Sequence, residues 1–122
     1  MSCVLSERLA SYRRDGIQVL PLPGEFDLSN EAELEAAIAA ACACGDAIVL
    51  DLSDTQYIDS TVLTVLVRQR IARGKNLRVV LPLQHRLRRI FEITSLDTEL
   101  RLFSNLDEAL VEQPTAPRRE AG

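Results

Sequence analysis

Ala47-Ile48-Val49-Leu50-Asp51-Leu52 is followed by a polar stretch at residues 53–56, by Tyr57-Ile58, and then by Asp59-Ser60-Thr61, which opens a run ending at Arg73-Gly74. The first six residues form an almost continuous apolar run of strand length, the pattern of a strand covered on both faces. Residues 53–56 read as a loop. Across residues 59–73 the apolar positions recur at helical spacing, and Gly74 is a helix stop. A buried strand that runs through a short loop into a helix is one half of a parallel strand–helix–strand unit.

Working outward, residues 77–81 form another short buried strand, closed by Pro82. Residues 84–94 read as an arginine-rich helix, 100–103 as a last strand, and Asn105 as the cap of a final helix at 106–112. Upstream, residues 31–44 are Ala-rich, acidic at the start and stopped by Gly45, with Leu34, Ala37, Ile38 and Ala41 as the apolar stripe. Ser29 or Asn30 is the candidate cap, with Glu33 in a capping-box position after Asn30. Pro23-Gly24-Glu25-Phe26-Asp27 reads as a turn, and residues 4–12 and 17–22 as a hairpin around Asp15-Gly16. Pro21 requires the second of these strands to end, bulge or lie open at that point. The order β-β-α-β-α-β-α-β-α predicts an α/β fold: a mostly parallel four- to five-stranded sheet with an N-terminal antiparallel hairpin and four helices. One domain is expected over residues 1–112, with a disordered tail at 113–122.

Composition narrows the function. The chain of 122 residues is 47% apolar and 26% charged, enough for a core that needs no disulfide or metal. Its net charge of −4 disfavours nucleic acid as a direct partner. The amino terminus lacks a signal-peptide core, and no apolar run approaches the roughly 18 residues of a membrane span, so a cytoplasmic protein without membrane insertion is expected. Cys42 and Cys44 are too close in sequence to face one ligand from a helix, Cys3 stands apart, and all three read as inert thiols.

Residues for catalysis are scarce. His85 is the only histidine, no strand–elbow–helix nucleophile motif surrounds Ser60, and Gly24, Gly45 and Gly74 are isolated turn glycines rather than a phosphate loop. No enzyme, metal or cofactor is expected. Ser60 is the more informative residue, because it starts a helix at the carboxyl end of a buried strand, where open α/β folds place ligands. Asp27, Asp51, Asp54 and Asp59 fall at or just past strand ends and are candidates for one acidic rim. A phosphate on Ser60 would add about −1.5 to −2 charge to that rim, a binary signal for a docked partner. Spacing alone favours the plainer reading, since Ser and Asp are the commonest capping residues. On a helical wheel, Leu63, Leu66 and Val67 point inward, while Thr61, Thr64 and Arg68 point out. Val65 falls near the polar face and Val62 on its flank, as a candidate docking patch. Arg86, Arg88 and Arg89 form a cationic cluster, either a solvated face or a grip for an acidic partner, over a core of Leu87, Ile90 and Phe91.

Four segments in order also carry a resemblance. Pro23-Gly24-Glu25-Phe26-Asp27, Ile48-Val49-Leu50-Asp51-Leu52-Ser53 and Tyr57-Ile58-Asp59-Ser60-Thr61 resemble the STAS domain of the anti-sigma-factor antagonists. So does Arg88-Arg89-Ile90-Phe91-Glu92-Ile93-Thr94-Ser95-Leu96-Asp97, with Phe103 and Leu106-Asp107-Glu108-Ala109-Leu110 after it. The resemblance implies a partner-switching protein. Its partner is both a serine kinase and an anti-sigma factor, bound when the antagonist is unphosphorylated, and a metal-dependent serine phosphatase resets the system. By motif, Ser60 is the implied phospho-acceptor, Thr61 a secondary one, Asp59 the neighbour and Asp27 the loop aspartate beside it. The implied docking surface is Asp27, Asp59, Ser60, Thr61, Val62, Thr64, Val65 and Arg68. One departure is Val62, where the family usually has a glycine that lets a partner's backbone approach. The alternative implied by the same family is an adaptor subunit of a transporter ATPase or larger signalling complex, docked constitutively and never phosphorylated.

Overall fold

The computed structural model describes residues 9–43 and 47–111. The expected strand residues before Leu9, Cys3, the helix end at Cys44-Gly45 and the tail at 113–122 lie outside them. Strand β1 (Tyr12–Arg14) pairs antiparallel with β2 (Ile17–Pro21). Asp15 and Gly16 both have positive φ, 55° and 81°, the pair of left-handed positions that a tight hairpin turn needs. Among the described residues the first strand therefore starts later than the sequence suggests, at Tyr12.

Strand β2 then runs parallel to β4 (Ile48–Asp51), β4 to β6 (Leu77–Val80), and β6 to β7 (Leu102–Phe103), giving the order β1-β2-β4-β6-β7. The apolar runs that define β4 and β6 are buried because helices cover both faces. On one face, α1 (Glu31–Cys42), α2 (Ser60–Arg73) and α3 (Leu87–Ile93) enclose the larger core around Leu20, Ile48, Leu50 and Val79. On the other, α5 (Leu106–Val111) lays Ala109 and Leu110 over Ile17, Val19, Val49 and Val80. Arg78 points to this second face, 1% exposed, and its Nη1 donates to the Ala109 carbonyl at 2.6 Å, tying α5 to the central sheet.

Several expected boundaries are corrected. Pro23–Asp27 is not only a turn and residues 53–56 are not only a loop: β3 (Gly24–Phe26) pairs parallel with β5 (Thr55–Ile58) in a separate two-stranded ladder. Asn30 holds the N-cap position of α1 as expected but makes no side-chain cap bond there; the capping side chain is that of Asp27, which caps a 3-10 turn at Leu28–Asn30 leading into the helix, with Asn30 rather than Glu33 as its box partner. The arginine-rich helix begins only at Leu87, because Pro82–His85 form a turn closed by the His85 amide on the Pro82 carbonyl. It stops at Ile93, since Ser95 takes a left-handed φ of 63° that no α-helix continues through, and an unexpected short α4 (Leu96–Glu99) follows. Leu87 and Phe91 are core, as expected, but Ile90 is exposed.

Candidate functional site

The β3–β5 ladder explains how the site is assembled. After Pro21 the β2 chain steps out of the main sheet, and after Leu52 the β4 chain does the same. The step is held by the Leu22 amide on the Asp51 carbonyl (2.9 Å), the Gly24 amide on the Asp54 carbonyl (3.1 Å) and the buried Thr55 hydroxyl on the Leu22 carbonyl (2.5 Å). The two chains then run on side by side, with Phe26 opposite Ile58 and both side chains in the core. The next residue on each chain is an aspartate, so Asp27 and Asp59 become neighbours at the ladder's carboxyl end. Asp59 joins the two chains: its amide donates to the Phe26 carbonyl (3.2 Å), its Oδ2 accepts from the Leu28 amide (3.1 Å), and its Oδ1 accepts from the Val62 amide (3.0 Å). It is the N-cap of α2, which makes Ser60 the first helical residue rather than the cap.

Asp27 is organised just as tightly. Its Oδ1 accepts from the Ser29 hydroxyl (2.6 Å) and amide (2.9 Å), while its own amide donates to Asn30 Oδ1 (2.8 Å). The Ser29 hydroxyl, and then the Ser29 amide, hold the Asp27 carboxyl below its ordinary pKa. Directly after the Asp59 cap, Ser60 is exposed and its hydroxyl has no partner among the described residues, while Thr61 is half-buried. Asp51 does not join this cluster. Its carboxylate accepts from the Ser53 amide and hydroxyl (3.0 and 2.7 Å) and shapes the β4–β5 turn.

Along α2, the face expected to carry a docking patch is corrected. Val62 is 1% and Val65 0% exposed; with Leu66 they form the inward stripe, while Leu63 and Val67 are half-buried at its edge. The physical reason is that Val62, Leu63, Val65, Leu66 and Val67 together span about 200° of the wheel, so apolarity alone does not select the inner side. Thr64 and Arg68 face out as expected. The Thr64 hydroxyl donates to the Ser60 carbonyl (3.0 Å), and Arg68 pairs with Glu35 (3.1 Å) and Glu31 (3.5 Å) of α1. Sequence reading missed Leu28, which is 68% exposed on the loop that Asp59 holds.

This arrangement is matched among known proteins. The STAS domain family model fits residues 8–109. The chain belongs to the STAS domain family. An anti-sigma-F factor antagonist, RsfB of Mycobacterium tuberculosis, is 35% identical over 98 residues, covering 79% of this chain and 80% of that protein. The crystal structure of an anti-sigma factor antagonist from Mycobacterium paratuberculosis superposes with a TM-score of 0.75 at 32% identity, covering 90% of this chain and 96% of the other. The anti-sigma factor antagonist SpoIIAA in its unphosphorylated form shares the fold, with a TM-score of 0.62 at 18% identity over 84% of this chain and 92% of that one. These relatives are named for antagonism, a binding activity, and not for a reaction.

Within this STAS domain the departure from the family motif has a structural outcome. Val62 turns its side chain into the core, so its bulk is not presented to a partner at the surface. The other chemistry-bearing residues are accounted for locally. His85 Nδ1 accepts from the Leu87 amide (3.1 Å), Arg86 donates to the Gln56 carbonyl (2.7 Å) and Arg88 to the Leu81 carbonyl (3.3 Å). His85 and Arg86, with Gly24, Asp54 and Gln56, border an open groove of about 830 Å³. Burial raises the pKa of the half-buried Cys42 thiol, with the Arg73 charge acting in the opposite sense. Among the described residues no cluster of three or more His, Cys, Asp or Glu is placed to hold a metal, and no helix is long and apolar enough to cross a membrane.

Proposed function

We propose that this STAS domain is a cytosolic anti-sigma-factor antagonist that binds a kinase-type anti-sigma factor and is released when that partner phosphorylates Ser60, with a metal-dependent serine phosphatase reversing the mark. The observation that carries the reading is the exposed Ser60 hydroxyl, set beside the Asp59 cap and the Asp27 loop, in a chain 35% identical to an anti-sigma-F factor antagonist. Asp27, Asp59, Ser60, Thr61, Thr64 and Arg68 form the partner surface, without the buried Val62 and Val65.

The switch follows from charge. A phosphate on Ser60 adds about −1.5 to −2 to a rim whose two carboxylates are already fixed by hydrogen bonds. The amides of the first α2 turn tolerate that dianion in the free protein, where water covers it. A docked partner must strip the water away and bring its own surface against three adjacent anionic groups, which costs far more than burying a neutral hydroxyl. Ser60 is the acceptor in preference to the half-buried Thr61, because a kinase site must admit the hydroxyl. Incubation with ATP and the candidate kinase, followed by intact and peptide mass measurement, tests the assignment. One phosphate on the peptide containing Ser60, absent from Ser60→Ala, is expected; no incorporation, or incorporation undiminished in Ser60→Ala, refutes it.

A further inference from the structure

We propose that the outer face of α3 is a docking surface for an acidic amphipathic helix of another protein, independent of Ser60. Leu87 and Phe91 anchor α3 to the core, which turns the opposite side to solvent. On that side lie Arg86, Arg89, Ile90 and Ile93, at the i, i+3, i+4, i+7 spacing of a single helical stripe. Arg86 precedes the first residue of α3 but has helical backbone angles (φ −62°, ψ −26°), so it continues the stripe. All four residues are exposed, Ile93 by 70% and Ile90 by 37%. A surface helix of a finished core normally keeps isoleucine off this side.

Charge selects the occupant. The chain carries a net −4, yet this stripe pairs its isoleucines with two cations. Arg88 is turned away to the Leu81 carbonyl, whereas Arg89 makes no ion pair with a described residue. Arg86 bonds the Gln56 carbonyl, which ties the amino end of the stripe to β5. A helix with apolar residues at matching spacing and carboxylates at one end of its stripe covers the isoleucines and meets both arginines. The acidic helix α1 of a second copy is a poor occupant, because its Glu31 and Glu35 are already committed to Arg68.

The test is an NMR titration of the isotope-labelled full chain with a synthetic helical peptide, Leu at i, i+3, i+4 and i+7 and Glu elsewhere, alongside a copy with Lys for Glu. Saturable shifts at residues 86–93 are expected with the acidic peptide. Binding should weaken about fivefold or more in Ile93→Ser and in Arg89→Glu, both exposed substitutions that leave the fold intact. Ser60→Asp should bind the peptide like the wild type, which separates this surface from the switch. The inference is overturned if the acidic peptide shifts other regions or nothing at all, if the Lys peptide binds as well, or if either α3 variant binds undiminished. Self-association through α3 without peptide overturns it too.

Discussion

Replacing Asp59 by alanine removes a carboxylate that holds two backbone amides from different parts of the chain, Val62 in α2 and Leu28 in the loop after β3. Loss of the N-cap costs about 1 kcal/mol, within a range of about 0.5–2. Loss of the Leu28 bond, on an exposed loop, adds about 0.5–1.5 kcal/mol. The sum is about 1–3.5 kcal/mol, or a fall in Tm of roughly 4–14 °C for a domain of this size. Asp59→Asn separates the two bonds. Its Oδ1 still caps Val62, but the Nδ2 that replaces the other oxygen is a donor and cannot accept from Leu28, so only about 0.5–1.5 kcal/mol is lost. Thermal and urea unfolding give the energies, and amide hydrogen exchange gives the location. Leu28 should lose protection in both variants, and Val62 only in the alanine variant. If Asp59→Ala melts within about 1 °C of the wild type, or Leu28 keeps its protection, Asp59 does not join the loop to the helix that presents Ser60.

Other perturbations follow from the same coordinates. The folded-state pKa of Asp27 is lowered, so its contribution to stability is present above the ordinary aspartate value and fades as pH falls through the lower folded one. A carboxyl-carbon titration should find that depressed value, and Ser29→Ala should raise it. Installing the family's usual glycine at position 62 should destabilise rather than help, by about 2–3 kcal/mol in urea unfolding, because it empties a core position and loosens the first turn of α2. Arg78→Ala should cost about 2–4 kcal/mol by leaving a cavity and the Ala109 carbonyl without its donor, whereas Arg78→Met, which refills the space, should cost less.

The main sheet was legible because its central strands are continuous apolar runs, and the helices because Gly74 and the acidic start of α1 mark real boundaries. The β3–β5 ladder was not, since Gly24–Phe26 and Thr55–Ile58 are short, half-polar segments that become strands only by pairing with each other. Ser60 and Asp59 were legible from their place after Ile58, but which of them caps α2 depended on the reach of one carboxylate to two amides. The inner face of α2 was misplaced by about one residue, because five apolar side chains leave a wide arc, and packing buries Val62, Val65 and Leu66 out of it. Arg78 gave no warning within its apolar strand; its side chain is buried because α5 closes over it with a carbonyl to accept.

The most direct test of the switch is the affinity of the purified domain for its kinase-type anti-sigma factor, measured with Ser60 unmodified and with Ser60 phosphorylated. The phosphate should weaken binding by at least about tenfold, a loss of about 1.4 kcal/mol or more, with the fold unchanged. Equal affinity for the two forms would contradict it.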